Sequence, residues 1–166
     1  MPINLIKEYN QLLDLIYPSH AQNIQSLRGV FNKDIASNIP LSFRGKEIHP
    51  TTSHDGEDAM DRLFKHLTTV ITDEKTRKRE FESERSIRLH WVKYHLDESK
   101  AERFLVFSIE HERRTYLLDK DEKYVIILEP KRNLDSLYLL TAYKLEASNY
   151  RNILTKYDKR GIEGCL

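Results

Sequence analysis

Cysteine is nearly absent from this chain: the single one, Cys165, lies beside the C-terminus. One thiol cannot close an internal disulfide, and no Cys/His grouping has zinc spacing. Glycine and proline number five each, too few for collagen-like or low-complexity architecture. No apolar run approaches the roughly 18 residues of a membrane span. The opening segment, MPINLIKEYNQLL, places Lys7 and Glu8 inside its apolar pattern, so it lacks the h-region of a secretory signal. Net charge is also scarce, with 27 Lys and Arg against 26 Asp and Glu. No global positive field advertises nucleic-acid binding, and any such activity has to come from a local patch. A cytoplasmic protein without membrane association is expected.

What is present suits a globular fold. Hydrophobic residues make up 39% of the 166, and nine tyrosines can supply a core. Ile3, Leu5, Ile6, Tyr9, Leu12, Leu13 and Ile16 recur at helical spacing until Pro18. Ser19 reads as the cap of a second helix through about Leu27, with Gly29 as its stop. Phe43–Ile48 reads as a hairpin or a loop. Beyond the turn-rich His49–Gly56, Met60, Leu63, Phe64, Leu67 and Val70 mark another helix. Asp73–Arg88 carries six basic and five acidic residues, and Ser86–Asp97 reads as helical.

After Lys100 the pattern changes. Phe104–Ile109, Arg114–Leu118, Tyr124–Leu128 and Leu137–Leu145 are short β-branched and aromatic runs separated by charged turns. Ser148 reads as the cap of a last helix bearing Tyr150, Ile153, Leu154 and Tyr157, which Gly161 ends. The expected fold is α+β: N-terminal helices followed by a four-stranded antiparallel sheet packed on a helix. Residues 1–75 form a helical extension or subdomain, and residues 76–166 form the second domain.

Candidate chemistry falls in three places. On a wheel of the Arg85–Leu96 helix, Arg88, His95 and Glu84 share a face between two apolar flanks, while His90 points the opposite way with Ser86, Lys93 and Asp97. Arg88 and His95 suit anion holding and proton transfer. The competing reading pairs Arg88 with Glu84 and makes His95 a satisfied boundary residue. Alternation places Arg114 with Tyr116 on one strand face and Thr141 with Tyr143 on another, a combination suited to a phosphate and a stacked base. The competing reading buries the tyrosines in the core and exposes Arg114. Lys144–Arg160 is locally basic, with Arg151, Lys156, Lys159 and Arg160 interleaved with Tyr150 and Tyr157, a phosphate-contacting flank or a core stripe with a solvated back. The stretch from His49 to His54 has two histidines and three hydroxyls but no fixed acid, so no metal site is expected there.

Arg85, Arg88 and Trp91 on a helix, then Arg113-Arg114-Thr115-Tyr116, Tyr124-Val125-Ile126-Ile127-Leu128 and Tyr138-Leu139-Leu140-Thr141-Ala142-Tyr143, together resemble the phage- and mobile-element nuclease domains grouped with barnase, EndoU, the colicin tRNases and RelE. The resemblance spans roughly residues 77–160. It implies a barnase- or RelE-like sheet and metal-independent RNA cleavage with no cofactor. In that chemistry the ribose 2′-hydroxyl attacks the adjacent phosphate while cations stabilise the phosphorane. Carried over by position, the implied catalytic residues are Arg88, His95 or His90, Arg114 and Thr141. Tyr116, Tyr143 and Arg151 become substrate contacts. The implied partners are RNA and, for a toxin, an antitoxin or immunity protein. The alternative is an RNA-binding or phage accessory protein that has lost catalysis.

Overall fold

The computed structural model describes residues 3–38, 41–52, 55–97, 104–132 and 135–160. Helix α1 (His20–Asp34) starts at Ser19, whose side chain and that of Gln22 form a reciprocal capping box. Strands β1 (Leu41–Phe43) and β2 (Lys46–Pro50) follow. They are joined by Arg44 and Gly45, both at positive φ, as a two-residue hairpin turn requires. Asp58 caps α2 (Ala59–Thr68) by accepting from the Met60 and Asp61 N–H groups. A separate hairpin, β3 (Thr69–Asp73) and β4 (Lys78–Phe81), leads into α3 (Ser83–Ser86) and α4 (Trp91–Leu96). Strands β5 (Phe104–Ile109), β6 (Arg114–Asp119), β7 (Tyr124–Pro130) and β8 (Ser136–Lys144) precede α5 (Ala147–Lys159).

The main sheet has the order β1-β2-β8-β7-β6-β5. Its β8-β7-β6-β5 portion is antiparallel, whereas β2 runs parallel to β8, with Ile48 opposite Leu137 and His49 opposite Tyr138. One face bears Leu117, Tyr124, Ile126, Leu128, Leu137 and Leu139, buried against apolar residues of α1, α2 and α4. The other bears Phe107, Tyr116, Leu118 and Val125, covered by Ile153, Tyr150 and Leu154 of α5. Burial on both faces explains why β6 and β7 read as nearly continuous apolar runs. Between β7 and β8 the register shifts: Ile127 faces Thr141 and Leu128 faces Leu139, so Leu140 is the extra residue of a bulge.

This architecture corrects the expected four-stranded antiparallel sheet packed on a helix. Residues 41–50, expected within a helical extension, add two strands to the same sheet. Parallel pairing of β2 with β8 brings together segments that no local pattern links.

The first expected helix is also absent as such: one 3-10 turn covers Ile3–Ile6, and the chain then runs irregularly to α1. Tertiary bonds outcompete helical propensity there. The Leu13 N–H donates to the Ile87 carbonyl at 2.9 Å. The Asn4 amide bonds both to the Asp14 carbonyl and from the Asp14 N–H. Asn10 adopts a left-handed φ of 73°. Gly29 does not stop α1 but sits within it, under Leu5. The charged run after Asp73 forms the tip and second strand of the β3–β4 hairpin, and turns at residues 87–90 interrupt the stretch expected to be one helix. Gly161 and Cys165 lie outside the described residues. Among those described, no helix is long and apolar enough to cross a membrane.

Candidate functional site

An open cleft of about 440 Å³ lies where α2, the β3–β4 hairpin and α3 meet β6 and β8. Four guanidinium groups line it: Arg62 on α2, Arg79 on β4, Arg85 on α3 and Arg114 on β6. His66, Thr51 and Thr141 complete its polar wall, and no carboxylate-bearing residue is part of the lining among the described residues.

The C-terminus of α2 organises two of these cations. Arg85 Nη1 donates to the His66 carbonyl at 2.8 Å, the Thr69 carbonyl at 3.0 Å and Thr141 Oγ1 at 3.2 Å. Arg79 Nη2 donates to the same Thr69 carbonyl at 3.0 Å, and its Nε to Thr69 Oγ1 at 2.8 Å. Carbonyls at a helix C-terminus have no intrahelical donor and carry partial negative charge, so guanidinium groups gather there. The Arg85 guanidinium also lies 4.9 Å from the Tyr143 ring centroid, and its Nε is buried without a hydrogen-bond partner. Burial lowers the pKa of both arginines, yet a guanidinium remains charged in any ordinary protein setting. The Arg62 guanidinium makes no hydrogen bond or ion pair among the described residues, whereas that of Arg114 is paired with Glu129.

His66 is part of this wall. Burial lowers its pKa, and the positive charges of Arg79 and Arg62 lower it further; a hydrogen bond to the Leu140 backbone acts in the opposite sense. In the neutral ring one nitrogen is a proton acceptor.

Of the residues expected to form a site, Arg114 and Thr141 line this cleft, and Tyr143 lies beneath Arg85. The others lie elsewhere. Arg88 is 6% exposed, with Nη1 donating to the Glu84 carbonyl at 2.6 Å and to Glu84 Oε2 at 3.0 Å. That is the Arg88–Glu84 pairing, the competing reading. His95 is 1% exposed; its Nδ1 faces the Trp91 carbonyl at 2.7 Å and its Nε2 faces Asp119 Oδ2 at 3.1 Å. His90, expected to be solvated, is buried with Nε2 3.1 Å from the Glu8 carbonyl. Tyr116 is covered by α5, where its hydroxyl donates to Glu112 and accepts from Lys156. Arg151 is exposed on α5. His49 pairs with Glu47, and His54 lies outside the described residues.

Arg62, His66, Arg79 and Arg85 did not emerge from the sequence as a group. One signal was available. Arg62 and His66 are four apart on α2, so they share a face distinct from the Leu63, Phe64 and Leu67 stripe. Arg79 and Arg85 join them only because the β3–β4 hairpin folds back. Comparison of the chain with family models, with curated proteins and with solved structures finds no match.

Proposed function

We propose that this protein binds RNA through its phosphates in the arginine cleft and cleaves it there by attack of the ribose 2′-hydroxyl on the adjacent phosphorus. The observation that carries this reading is the convergence of four guanidinium groups and one imidazole of lowered pKa on one wall, where among the described residues only Arg114 of the four is ion-paired, with Glu129. Planar guanidinium groups suit a phosphodiester, and in a partly desolvated cleft their charge counts for more than in open water. His66, neutral at physiological pH, takes the 2′-hydroxyl proton. The new O2′–P bond forms as the P–O5′ bond breaks, and the resulting imidazolium returns its proton to the departing 5′-oxygen. Arg85 and Arg79, held by the end of α2, oppose the charge that builds on the phosphorane. The supporting groups are arginines, so the step draws on no divalent ion.

A second reading is RNA binding without cleavage. It is favoured by one feature: His66 is the one titratable proton carrier on the described lining, and most RNA-cleaving sites of this type divide acid and base between two groups.

Incubation of purified protein with single-stranded RNA in the presence of a chelator separates the two. Cleavage predicts 2′,3′-cyclic phosphate ends that are lost in His66→Gln while RNA retention persists. Retention without cleavage selects the second reading, and the absence of salt-sensitive retention overturns both.

A further inference from the structure

We propose that the half-buried part of the main sheet beside the cleft, which α5 does not cover, is a base-stacking platform for single-stranded RNA, with Tyr138 as its aromatic surface. The proposal rests on the reading of the arginine cleft as a phosphate site and adds the place where a base lies.

Strand register puts Tyr138 on the α5-facing side of the sheet. It stands directly opposite Glu129 on β7 and His49 on β2, and that side also holds Arg114 and Thr141 of the cleft wall. Helix α5 covers only one part of this face: its apolar cluster takes in Phe107, Tyr116, Leu118, Val125 and Tyr143. Tyr138 belongs to neither core cluster, although it stands between the fully buried Leu137 and Leu139 of the other face. Its hydroxyl has no hydrogen-bond partner among the described residues. The ring contact recorded for it is with Lys131, whose Nζ lies 4.7 Å from the centroid. Lys131 in turn makes no ion pair among the described residues.

A partly exposed tyrosine on a sheet face, outside the core, is the arrangement by which sheets stack single-stranded bases. With Leu140 bulged out, Tyr138 and Thr141 lie two strand steps apart in register, about 7 Å at the usual rise, so a base on the ring and a phosphate in the cleft belong to one short stretch of strand. Charge complementarity runs the same way: Lys131 lies over the ring, Glu129 opposite it is neutralised by its ion pair with Arg114, and the cleft cations lie beyond. A lone cation over an exposed ring is held more weakly than a stacked base, so an incoming base displaces Lys131 and frees its ammonium for phosphate. Such stacking is indifferent to base identity and requires the strand to be unpaired. The ligand is therefore single-stranded RNA of relaxed sequence preference.

The test is fluorescence anisotropy of the full chain with labelled oligouridylate and oligoadenylate, inorganic polyphosphate as competitor, and 2-aminopurine as a stacking reporter. Tyr138→Ala is expected to weaken single-stranded RNA binding about tenfold while leaving polyphosphate competition unchanged. Tyr138→Phe is expected to bind as wild type. Bound 2-aminopurine RNA is expected to be quenched by wild type and by Tyr138→Phe, a readout that stands even if the alanine variant fails to fold. Unquenched 2-aminopurine on the bound wild type, or wild-type RNA affinity in Tyr138→Ala, overturns the platform and leaves the phosphate cleft intact. Failure of the wild type to bind either RNA or polyphosphate removes the cleft reading itself, and the platform with it.

Discussion

The phenol of Tyr9 reaches 110 positions along the chain to donate a hydrogen bond to Asp119 Oδ2 at 2.9 Å. The same oxygen faces His95 Nε2 at 3.1 Å, while Asp119 Oδ1 accepts the N–H groups of Asp121 and Glu122. The Tyr9 ring stacks on Tyr94 at 3.8 Å, nearly parallel. Residues 8–13 are tied to the same region by the bonds from Trp91 Nε1 to the Gln11 carbonyl and from the Leu13 N–H to the Ile87 carbonyl. His95, which looked like a proton carrier, thus anchors a strap. Its two ring nitrogens face two acceptors, an arrangement of structure rather than of turnover.

Tyr9→Phe is expected to destabilise the protein by about 1–2 kcal/mol, since Asp119 loses one donor but keeps the rest. Burial raises the Asp119 pKa, but hydrogen bonds from His95, the Glu122 N–H and Tyr9 outweigh it and hold the carboxyl below its ordinary value. A carboxylate with a lowered folded pKa stabilises above its unfolded pKa and loses that contribution as pH falls through the folded value. Asp119→Asn is therefore expected to cost stability at neutral pH and to flatten the acid limb. Urea unfolding at about pH 6 and about pH 3 checks both effects.

The last four strands were legible because alternation and charged turns are local signals, and the cap at Ser19 is equally local. The parallel β2–β8 pair was not, because nothing in residues 46–50 specifies a partner some ninety positions away. In the candidate site, strand faces sufficed to nominate Arg114 and Thr141. The helical wheel misplaced His90 and gave His95 a functional face because it assumed an unbroken helix. Turns at residues 87–90 rotate one half against the other, and the strap then buries both rings. The cations missing from the sequence reading meet only through the hairpin's return, a non-local event.

The charge environment of His66 is open to direct measurement. Burial is the first cause of its lowered pKa, with Arg79 and Arg62 adding to it. Arg62→Gln removes one of those charges without touching the bonds that hold Arg79 and Arg85. The His66 titration followed by NMR is expected to move upward in this variant, toward the ordinary histidine value. A group with a lowered folded pKa favours the unfolded state as pH falls, so the variant is also expected to be less acid-sensitive. No change in the titration would remove Arg62 from the cleft's electrostatics.

Arg77 occupies a left-handed conformation, with φ of 58°, at the tip of the β3–β4 hairpin. Its ion pair with Glu74 is almost fully solvated and adds little. A Cβ in this conformation costs about 1 kcal/mol, partly offset by the smaller unfolded-state entropy of arginine relative to glycine. Arg77→Gly is expected to raise stability by roughly 0.5 kcal/mol, seen as a small increase in Tm.

Arg88 and Arg114 were nominated together, and the structure separates their roles. Arg88 is buried against Glu84 and Trp91, so Arg88→Leu is expected to alter stability while leaving RNA retention unchanged. Arg114 lines the cleft and neutralises Glu129. Arg114→Gln removes one cation and also leaves that carboxylate uncompensated beside the proposed phosphate path. The loss of affinity is then larger than that of a lone phosphate contact, and the salt dependence of binding is expected to shallow by about one in its logarithmic slope. Binding isotherms over a salt series for the two variants decide the matter: equal losses would mean that the cleft is not where the RNA lies.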